Sequence, residues 1–445
     1  MSILPQLLFL VVFLVAGYII FRRIAYLKKT IFLGQPEKRN DQKPQRWKTV
    51  ALIAFGQKKM FKRIGPALLH LIIYVGFIII NLEVLEFIID GLTGSHRIFA
   101  PFLGGFYTVA MNIFEWLALG VLISCVAFLV RRNITRVPRL TMSELKGWPS
   151  LDANLILWIE ILLMVAILTM NATDQILASR GVEGYLETGH LLISGSISGI
   201  FEGMNDTTLV IIERSAWWFH ILGILVFAIY VTYSKHLHIF LAFPNTWYSN
   251  LEPKGKMNNM DEVTREVKTM LGMPTDNPSE PPVEMARFGA KDATDLSWIN
   301  IMNAFSCTEC GRCTAECPAN LTGKKLSPRK IMMDTRDRAE EISKNIPSGK
   351  NTFEDGKSLL GDYISKEEIN ACTSCNACVE ACPINIDPLS IILQMRRYVA
   401  MEESGSPAQW NAMFQNIETN FAPWKFAPTD RFNWAKTLKN KEKNE

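Results

Sequence analysis

Through the first 250 residues the apolar positions run together in long blocks. Five such blocks, Ile3–Phe21, Ile64–Ile89, Phe106–Val130, Ala153–Met170 and Ala216–Phe243, are separated by polar stretches. Each reaches or approaches the ~20 residues that a helix needs to cross ~30 Å of hydrocarbon. The pattern therefore predicts five membrane-spanning helices. The first block has no Lys or Arg before it and Arg22-Arg23 after it, which reads as a retained span rather than a leader. Beyond Asn250 the chain turns polar and mixed in charge.

The charges between the blocks set an orientation. The connection Arg22–Arg63 holds thirteen Lys or Arg and Arg131–Asp152 holds five, whereas Asp90–Gly105 holds only Arg97 and Asn171–Ser215 only Arg180 and Arg214. Lys and Arg gather on the cytoplasmic side, so the N-terminus is expected outside and everything after the fifth span inside. Over all 445 residues the net charge is only +4, with 49% hydrophobic and 20% charged residues. That balance gives no support to a general nucleic-acid role.

Eight of the nine cysteines fall in two runs of four. Cys307, Cys310, Cys313 and Cys317 are followed by Pro318, and Cys372, Cys375, Cys378 and Cys382 by Pro383. A secreted disulfide framework does not repeat a metal-ligand spacing, so the runs imply thiolates in a reducing compartment. Structural zinc typically takes closely spaced pairs of ligands. Three cysteines at two-residue intervals instead wrap one iron–sulfur cube, and the fourth points to the neighbouring cube. One [4Fe–4S] cluster is thus assigned to Cys307, Cys310, Cys313 and Cys382, the other to Cys372, Cys375, Cys378 and Cys317. The ninth, Cys125, lies alone in an apolar block and reads as a small buried residue.

Six histidines are present. His220 and His238 are 18 residues apart in the fifth block, five full turns of helix, so they would share a face about 27 Å apart. His70 is six residues into the second block and matches His238 in depth, so the two could clasp one haem iron between helices. The plain alternative is a pair of interfacial or hydrogen-bonded histidines; the iron–sulfur motifs downstream favour b-type haem. A second haem at His220 would need His96 or His190 from the outer loops. His236 points away from His238 and is expected to reach the interface. Glu83, Glu86, Glu115 and Glu160 are ionisable groups at membrane depth, where the default reading is functional. Glu83, in the outer half of the second span, is a weak candidate for taking a quinol proton, and Glu86 and Asp90 could instead mark the headgroup level.

The rest of the chain divides by composition. Residues 251–296, with prolines at 253, 274, 278, 281 and 282, read as a linker crossed by one short helix. Residues 297–401 read as the cysteine domain, with Pro328–Lys366 forming two helices around a Pro-Ser-Gly-Lys turn and a further helix over Asp387–Met401. Residues 402–445 carry Trp410, Phe414, Phe421, Trp424, Phe426, Phe432 and Trp434, too aromatic for a plain disordered tail. The tail is expected to dock on a partner or on the chain's own membrane half.

With these motifs in hand, Trp217-Trp218-Phe219-His220 and Ser234-Lys-His-Leu-His238 make the membrane half resemble the cytochrome b subunit of respiratory nitrate reductase. From Phe288-Gly-Ala through Leu326-Ser-Pro328 to Pro383 the chain is similar to the di-cluster ferredoxin subunit of heterodisulfide reductase. It also looks like the matching part of membrane iron–sulfur oxidoreductases that link electron-transfer flavoprotein to menaquinone. The resemblance implies an all-α protein of the bacterial inner membrane, a five-helix haem-binding bundle followed by an α-helical di-cluster ferredoxin. Two departures stand out. The nitrate reductase anchor has a second histidine in its second span, where Ile80 and its neighbours stand here. Fused relatives also continue into Cys-Cys-Gly domains that this sequence lacks.

The expected function is that of an oxidoreductase subunit carrying electrons between menaquinone and a cytoplasmic partner through haem b and two [4Fe–4S] clusters. The partner is expected to be a Cys-Cys-Gly subunit, with electron-transfer flavoprotein or a disulfide beyond it. The alternative is a membrane-tethered iron–sulfur sensor or scaffold without turnover, which would need neither haem nor a quinone pocket.

Overall fold

The computed structural model describes residues 3–274, 287–347 and 353–436. The protein is all-α, with no strand among the described residues. Five long helices come first: α1 (Leu4–Ile31), α2 (Ile64–Thr93), α3 (Gly105–Asn133), α4 (Trp148–Ser179) and α5 (Asp206–Val231), all long and apolar enough to cross a membrane. At 1.5 Å per residue they are about 39–48 Å long, so their ends stand clear of a ~30 Å hydrocarbon layer. The later chain is built on α6 (His238–Trp247), α7 (Asp261–Met270), α8 (Trp298–Ser306), α9 (Pro328–Asn345), α10 (Lys366–Ala371), α11 (Pro388–Met401) and α12 (Ala408–Asn420).

The long helices touch through small residues and aromatics. A Cβ on Gly76 of α2 would stand 2.7 Å from the Val121 side chain of α3, and one on Gly223 of α5 would stand 2.6 Å from Leu163 of α4. Small residues at such points let membrane helices approach closely. Phe9 of α1 is fully buried, 5.9 Å from the Trp217 ring of α5.

Two expectations about the spans need correction. The first helix does not end at Phe21 but runs to Ile31, and its last turns leave the bundle. There Arg23 pairs with Glu340 at 2.8 Å and Thr30 bonds Ser343 at 2.7 Å, both on α9. The fifth block is not one helix over Ala216–Phe243. A cap by Asn205 starts α5 ten residues early, and α5 stops at Val231. Asp152, buried near the start of α4, accepts from Tyr230 at 2.6 Å, Ser234 Oγ at 2.7 Å and the Lys235 amide at 3.2 Å. These bonds satisfy a tight turn and break the helix. His220 and His238 therefore lie on different helices. His236 falls in the 3₁₀ turn Lys235–Leu237, and its ring is 5.9 Å from that of His238 rather than turned away.

The cysteine-bearing part is packed on the bundle and does not hang from a tether. One hydrophobic core joins Leu27, Ile31 and Leu237 with Ile299, Ile331, Ile391 and Met395. Gln35, just after α1, accepts from the Trp298 amide at 3.0 Å and donates to Leu296 at 2.8 Å. Ala290, Ala293 and Leu296 are buried in this core, so it begins inside the 251–296 segment expected to be a linker. Residues 275–286 of that segment, with Pro278, Pro281 and Pro282, lie outside the described residues.

Among the described residues between Pro328 and Lys366, only α9 forms as an α-helix before α10, with a single turn at Leu359–Tyr363. The remainder of the expected Pro-Ser-Gly-Lys turn, residues 348–350, lies outside the described residues. In the tail, α12 buries no side chain. Trp410, Phe414, Phe421 and Trp424 are exposed, so docking on the chain's own membrane half is not formed over residues 402–436. Residues 437–445 lie outside the described residues.

Candidate functional site

The two cysteine runs fold into loops of the same shape. Glu309 and Gly311 in the first, and Ser374 and Asn376 in the second, all adopt left-handed conformations, with φ of 56°, 70°, 55° and 60°. Each pair stands two and four residues after its leading cysteine. Gly and Asn enter this region at small cost, and Glu309 and Ser374 are held there by their surroundings. The turn lets backbone amides face sulfur: Glu309 donates to Cys307 Sγ at 3.4 Å, Ser374 to Cys372 Sγ at 3.4 Å, and Ile386 to Cys382 Sγ at 3.3 Å.

The thiols gather in two adjoining groups. Cys307 and Cys313 lie within electrostatic range of Cys310 and Cys382. Cys378 and Cys372 lie within range of Cys317, and Cys372 of Cys375. The last cysteine of each run thus lies within electrostatic range of cysteines of the other run, Cys382 of Cys307 and Cys313, and Cys317 of Cys372 and Cys378; Cys313 is also within range of Cys378. Burial pushes the Cys307 thiol up to about 12 and the Cys382 thiol up to about 11; a bound cation is what converts such groups to thiolates. At single-ion distances no three Cys, His, Asp or Glu side chains converge among the described residues, and thiols around an iron–sulfur cube stand farther apart than thiols around one ion.

No cysteine of the first group is exposed, Cys307 being buried, whereas Cys375 of the second is exposed. Arg139, from the connection between α3 and α4, donates to the Cys310 carbonyl at 3.1 Å, and the buried Arg329 donates to the Arg139 carbonyl at 2.6 Å. Arg396 of α11 holds the second loop through the carbonyls of Ile369, at 2.9 Å, and Cys372. A buried ion chain ties the first loop to the bundle: Lys235 to Glu309 at 2.7 Å, and Glu309 to Arg336 at 2.9 Å.

Beside the first cysteine group a cavity of about 520 Å³ opens into the bundle. Its lining includes Cys307, Cys310, Cys313 and Cys382, the two histidines His70 and His238, and the apolar Phe77, Leu157 and Phe227. The His70 and His238 ring centres are 6.5 Å apart, their planes inclined at 40°. Two imidazoles bound end-on to one metal at about 2 Å put their ring centres roughly 6–6.5 Å apart. His70 Nδ1 faces Gln57 Oε1 at 3.2 Å and His238 Nδ1 faces the Lys235 carbonyl at 3.4 Å. With Nδ1 engaged, each Nε2 is left to ligate, the usual arrangement for a metal-binding histidine. The pair fits a haem iron, and the cavity size falls in the range of cofactor sites.

The other end of the bundle is closed. His220 Nδ1 faces the Leu163 carbonyl at 3.0 Å, and its ring packs 5.4 Å from Phe87. His96 is engaged at both ring nitrogens, with Asp174 at 2.7 Å and Arg214 at 3.2 Å, and His190 is exposed. No second histidine ring pairs with His220 among the described residues. Glu86 and Asp90, expected at the headgroup level, are buried: Glu86 accepts from Tyr107 at 2.7 Å, and Asp90 from the Arg97 amide at 2.9 Å. Glu83 lies 3.8 Å from buried Arg97, and its Oε1 has no hydrogen-bond partner among the described residues. The large cavity does not reach Glu83.

Comparison with known proteins adds the chemistry. Residues 306–386 match the 4Fe-4S dicluster domain family. The chain is 28% identical, over 94% of its length, to the Bacillus subtilis protein named "Probable iron-sulfur-binding oxidoreductase FadF". It is 25% identical, over 89% of its length, to the EtfAB:quinone oxidoreductase of Syntrophomonas wolfei. Over 23% of its length it is 30% identical to one subunit of a CoB-CoM heterodisulfide reductase from Methanosarcina acetivorans, covering 49% of that protein. The chain spans 58% and 54% of the first two relatives. No solved structure matches. The protein is therefore a membrane protein related to iron–sulfur oxidoreductases and carries a 4Fe-4S dicluster domain.

Sequence reasoning missed Asp152, Gln57, Arg139, Glu309 and Lys235. Asp152, Arg139, Glu309 and Lys235 act on partners far along the chain, and Gln57 on His70 thirteen residues on, across a break between helices; no local spacing marks any of them.

Proposed function

We propose that the chain is the membrane-anchored electron-transfer subunit of a menaquinone-linked oxidoreductase, with one haem b and two [4Fe–4S] clusters. The observation that carries this reading is the single cavity that His70 and His238 share with Cys307, Cys310, Cys313 and Cys382. His70 and His238 hold the haem through Nε2, with Gln57 and the Lys235 carbonyl fixing their rings. Cys307, Cys310, Cys313 and Cys382 hold the cluster beside that cavity; Cys372, Cys375, Cys378 and Cys317 hold the second. Haem and clusters, when bound, take up and release single electrons.

The chain's own residues set the order of the wire. Arg139 and Arg329 position the first cysteine loop against the cavity, and the Lys235–Glu309–Arg336 chain locks it there. The exposed Cys375 gives the second site its access to a soluble partner. The Lys- and Arg-rich connections 22–63 and 131–152 lie on the same side as the cysteines, which supports a cytoplasmic iron–sulfur end and an outside N-terminus in a bacterial inner membrane. In this reading residues 1–250 form the anchor, 297–401 the ferredoxin part, and 402–445 the surface for a Cys-Cys-Gly subunit. The relative named EtfAB:quinone oxidoreductase supports electron-transfer flavoprotein and quinone as the two ends of the path. A second haem at His220 is not part of the proposal, since no partner ring is at hand.

The test is anaerobic mixing of the purified, oxidised protein with menadiol, a soluble naphthohydroquinone. Reduction of both the cluster signals and a b-type band is expected. Protein reducible by dithionite but inert to menadiol would contradict a quinone-linked wire and favour a sensor or scaffold.

A further inference from the structure

Of the four glutamates singled out in the spans, Glu83, Glu86, Glu115 and Glu160, three are absorbed by the closed end. Glu86 bonds Tyr107 and the Phe99 amide, Glu115 accepts from Asn171 at 3.1 Å and the Ile193 amide at 3.1 Å, and Glu83 faces Arg97. Glu160 differs. It stands 12 residues into α4, about 18 Å along the helix from the end that meets Lys235. It lines the large cavity together with the apolar Phe77, Phe128 and Leu157, within electrostatic range of the Cys125 thiol. Among the described residues it has no hydrogen bond and no ion pair. A carboxyl group in such surroundings is costly to keep without a partner, and the open side of this one is the cavity.

We propose that Glu160 is the proton acceptor for a hydroquinone whose ring enters this cavity. The inference rests on the quinone-linked reading above and deepens it. The walls suit a flat, apolar ring, and the carboxylate suits the one polar group such a ring must present, its hydroxyl. Oxidation breaks two O–H bonds in turn. Each proton passes to a Glu160 carboxylate oxygen, which releases the first to water before taking the second. Haem and clusters, when bound, would take the two electrons singly, so that hydroquinone and two oxidised clusters would give quinone, two protons and two reduced clusters. Glu83, walled off beside Arg97, has no access to a ring in this cavity.

The experiment compares full-length wild type, Glu160→Gln and Glu160→Asp in nanodiscs. Menadiol reduction is followed by stopped flow across pH, dithionite gives the end-point spectrum, and binding of a redox-inert 4-hydroxyquinoline N-oxide is read by fluorescence quenching. In the Gln variant, reduction by menadiol is expected to slow at least tenfold and lose its rise with pH. Binding of the N-oxide should weaken at least tenfold, while the dithionite end point and iron content stay unchanged. The Asp variant should recover part of the rate with a displaced pH profile. A Gln variant reduced at the wild-type rate over the whole pH range overturns the role of Glu160. So does a Gln variant that loses its dithionite-reducible absorption, since the carboxyl would then be holding the fold or the haem. Wild type that menadiol does not reduce would overturn the quinone-linked reading itself, a separate outcome.

Discussion

At the end of the bundle facing the cysteine loops, His70 and His238 look at one another across a cavity of about 520 Å³. At the far end, His220 is packed between Leu163 and Phe87, and the polar groups around it have closed on themselves. Buried Arg97 bonds Asn171 at 2.5 Å and Asp174 at 3.2 Å, and Asp174 also bonds His96. The space left among Glu86, Asp90, His96 and Trp217 is about 10 Å³, enough for a single water. Both ends hold histidines and carboxylates. What separates the two ends is a second histidine ring 6.5 Å away and room beside it, present for His70 and His238 and absent for His220 among the described residues.

The largest break in this comparison is at the open end. His70→Ala or His238→Ala should abolish the b-type absorption of the purified protein, whereas His220→Ala should retain it; a visible spectrum with haem quantification reads all three. Next comes the closed end. Arg97→Met leaves Asp174 and Glu83 without their cation, and breaking a buried pair costs about 3–5 kcal/mol. Thermal unfolding should show this as a large fall in Tm, with the redox spectrum unchanged. Equal loss of haem would mean that the two ends are not independent.

A smaller effect is expected where the cysteine loop meets the bundle. Burial raises the pKa of Glu309, but Lys235 and Arg336 more than offset it, so the carboxyl is held below its ordinary value. A lowered folded-state pKa adds stability that is complete above the unfolded value of about 4.3 and is lost as pH falls through the folded value. Glu309→Gln should cost about 1–3 kcal/mol at neutral pH and flatten the acid limb of Tm against pH. The smallest effect belongs to the tail. Trp410→Ala and Phe414→Ala should shift stability by less than about 0.5 kcal/mol, because α12 buries nothing. A large Tm change would mean that the tail packs on its own chain.

The same contrast explains what could be read from the sequence. Five spans were legible because unbroken apolar blocks have few other uses, and the doubled cysteine spacing names its chemistry by itself. The break after Val231 was not legible, since its cause, Asp152, lies some eighty residues earlier on another helix. His236 was misplaced for the same reason: a helical wheel drawn through a turn gives the wrong face. The thirteen cations of the first connection suggested an orientation from the sequence; in the structure several of them serve the fold. Arg23 pairs with Glu340, Lys62 with Glu380 and Arg63 with Glu316, which clamps the cysteine part onto the bundle. Charge counts carry no such pairing. Glu83 was singled out in the sequence over Glu160 for its place in the outer half of the second span; the cavity, which Glu160 lines and Glu83 does not, was not legible there.

The most direct test of the central claim is a dithionite-reduced minus oxidised visible spectrum of the purified full-length protein, with haem and iron counted per chain. The account predicts one b-type haem, lost in His70→Ala, together with about eight irons that remain. Eight irons with no haem in the wild type, or haem that survives the loss of His70, would contradict it.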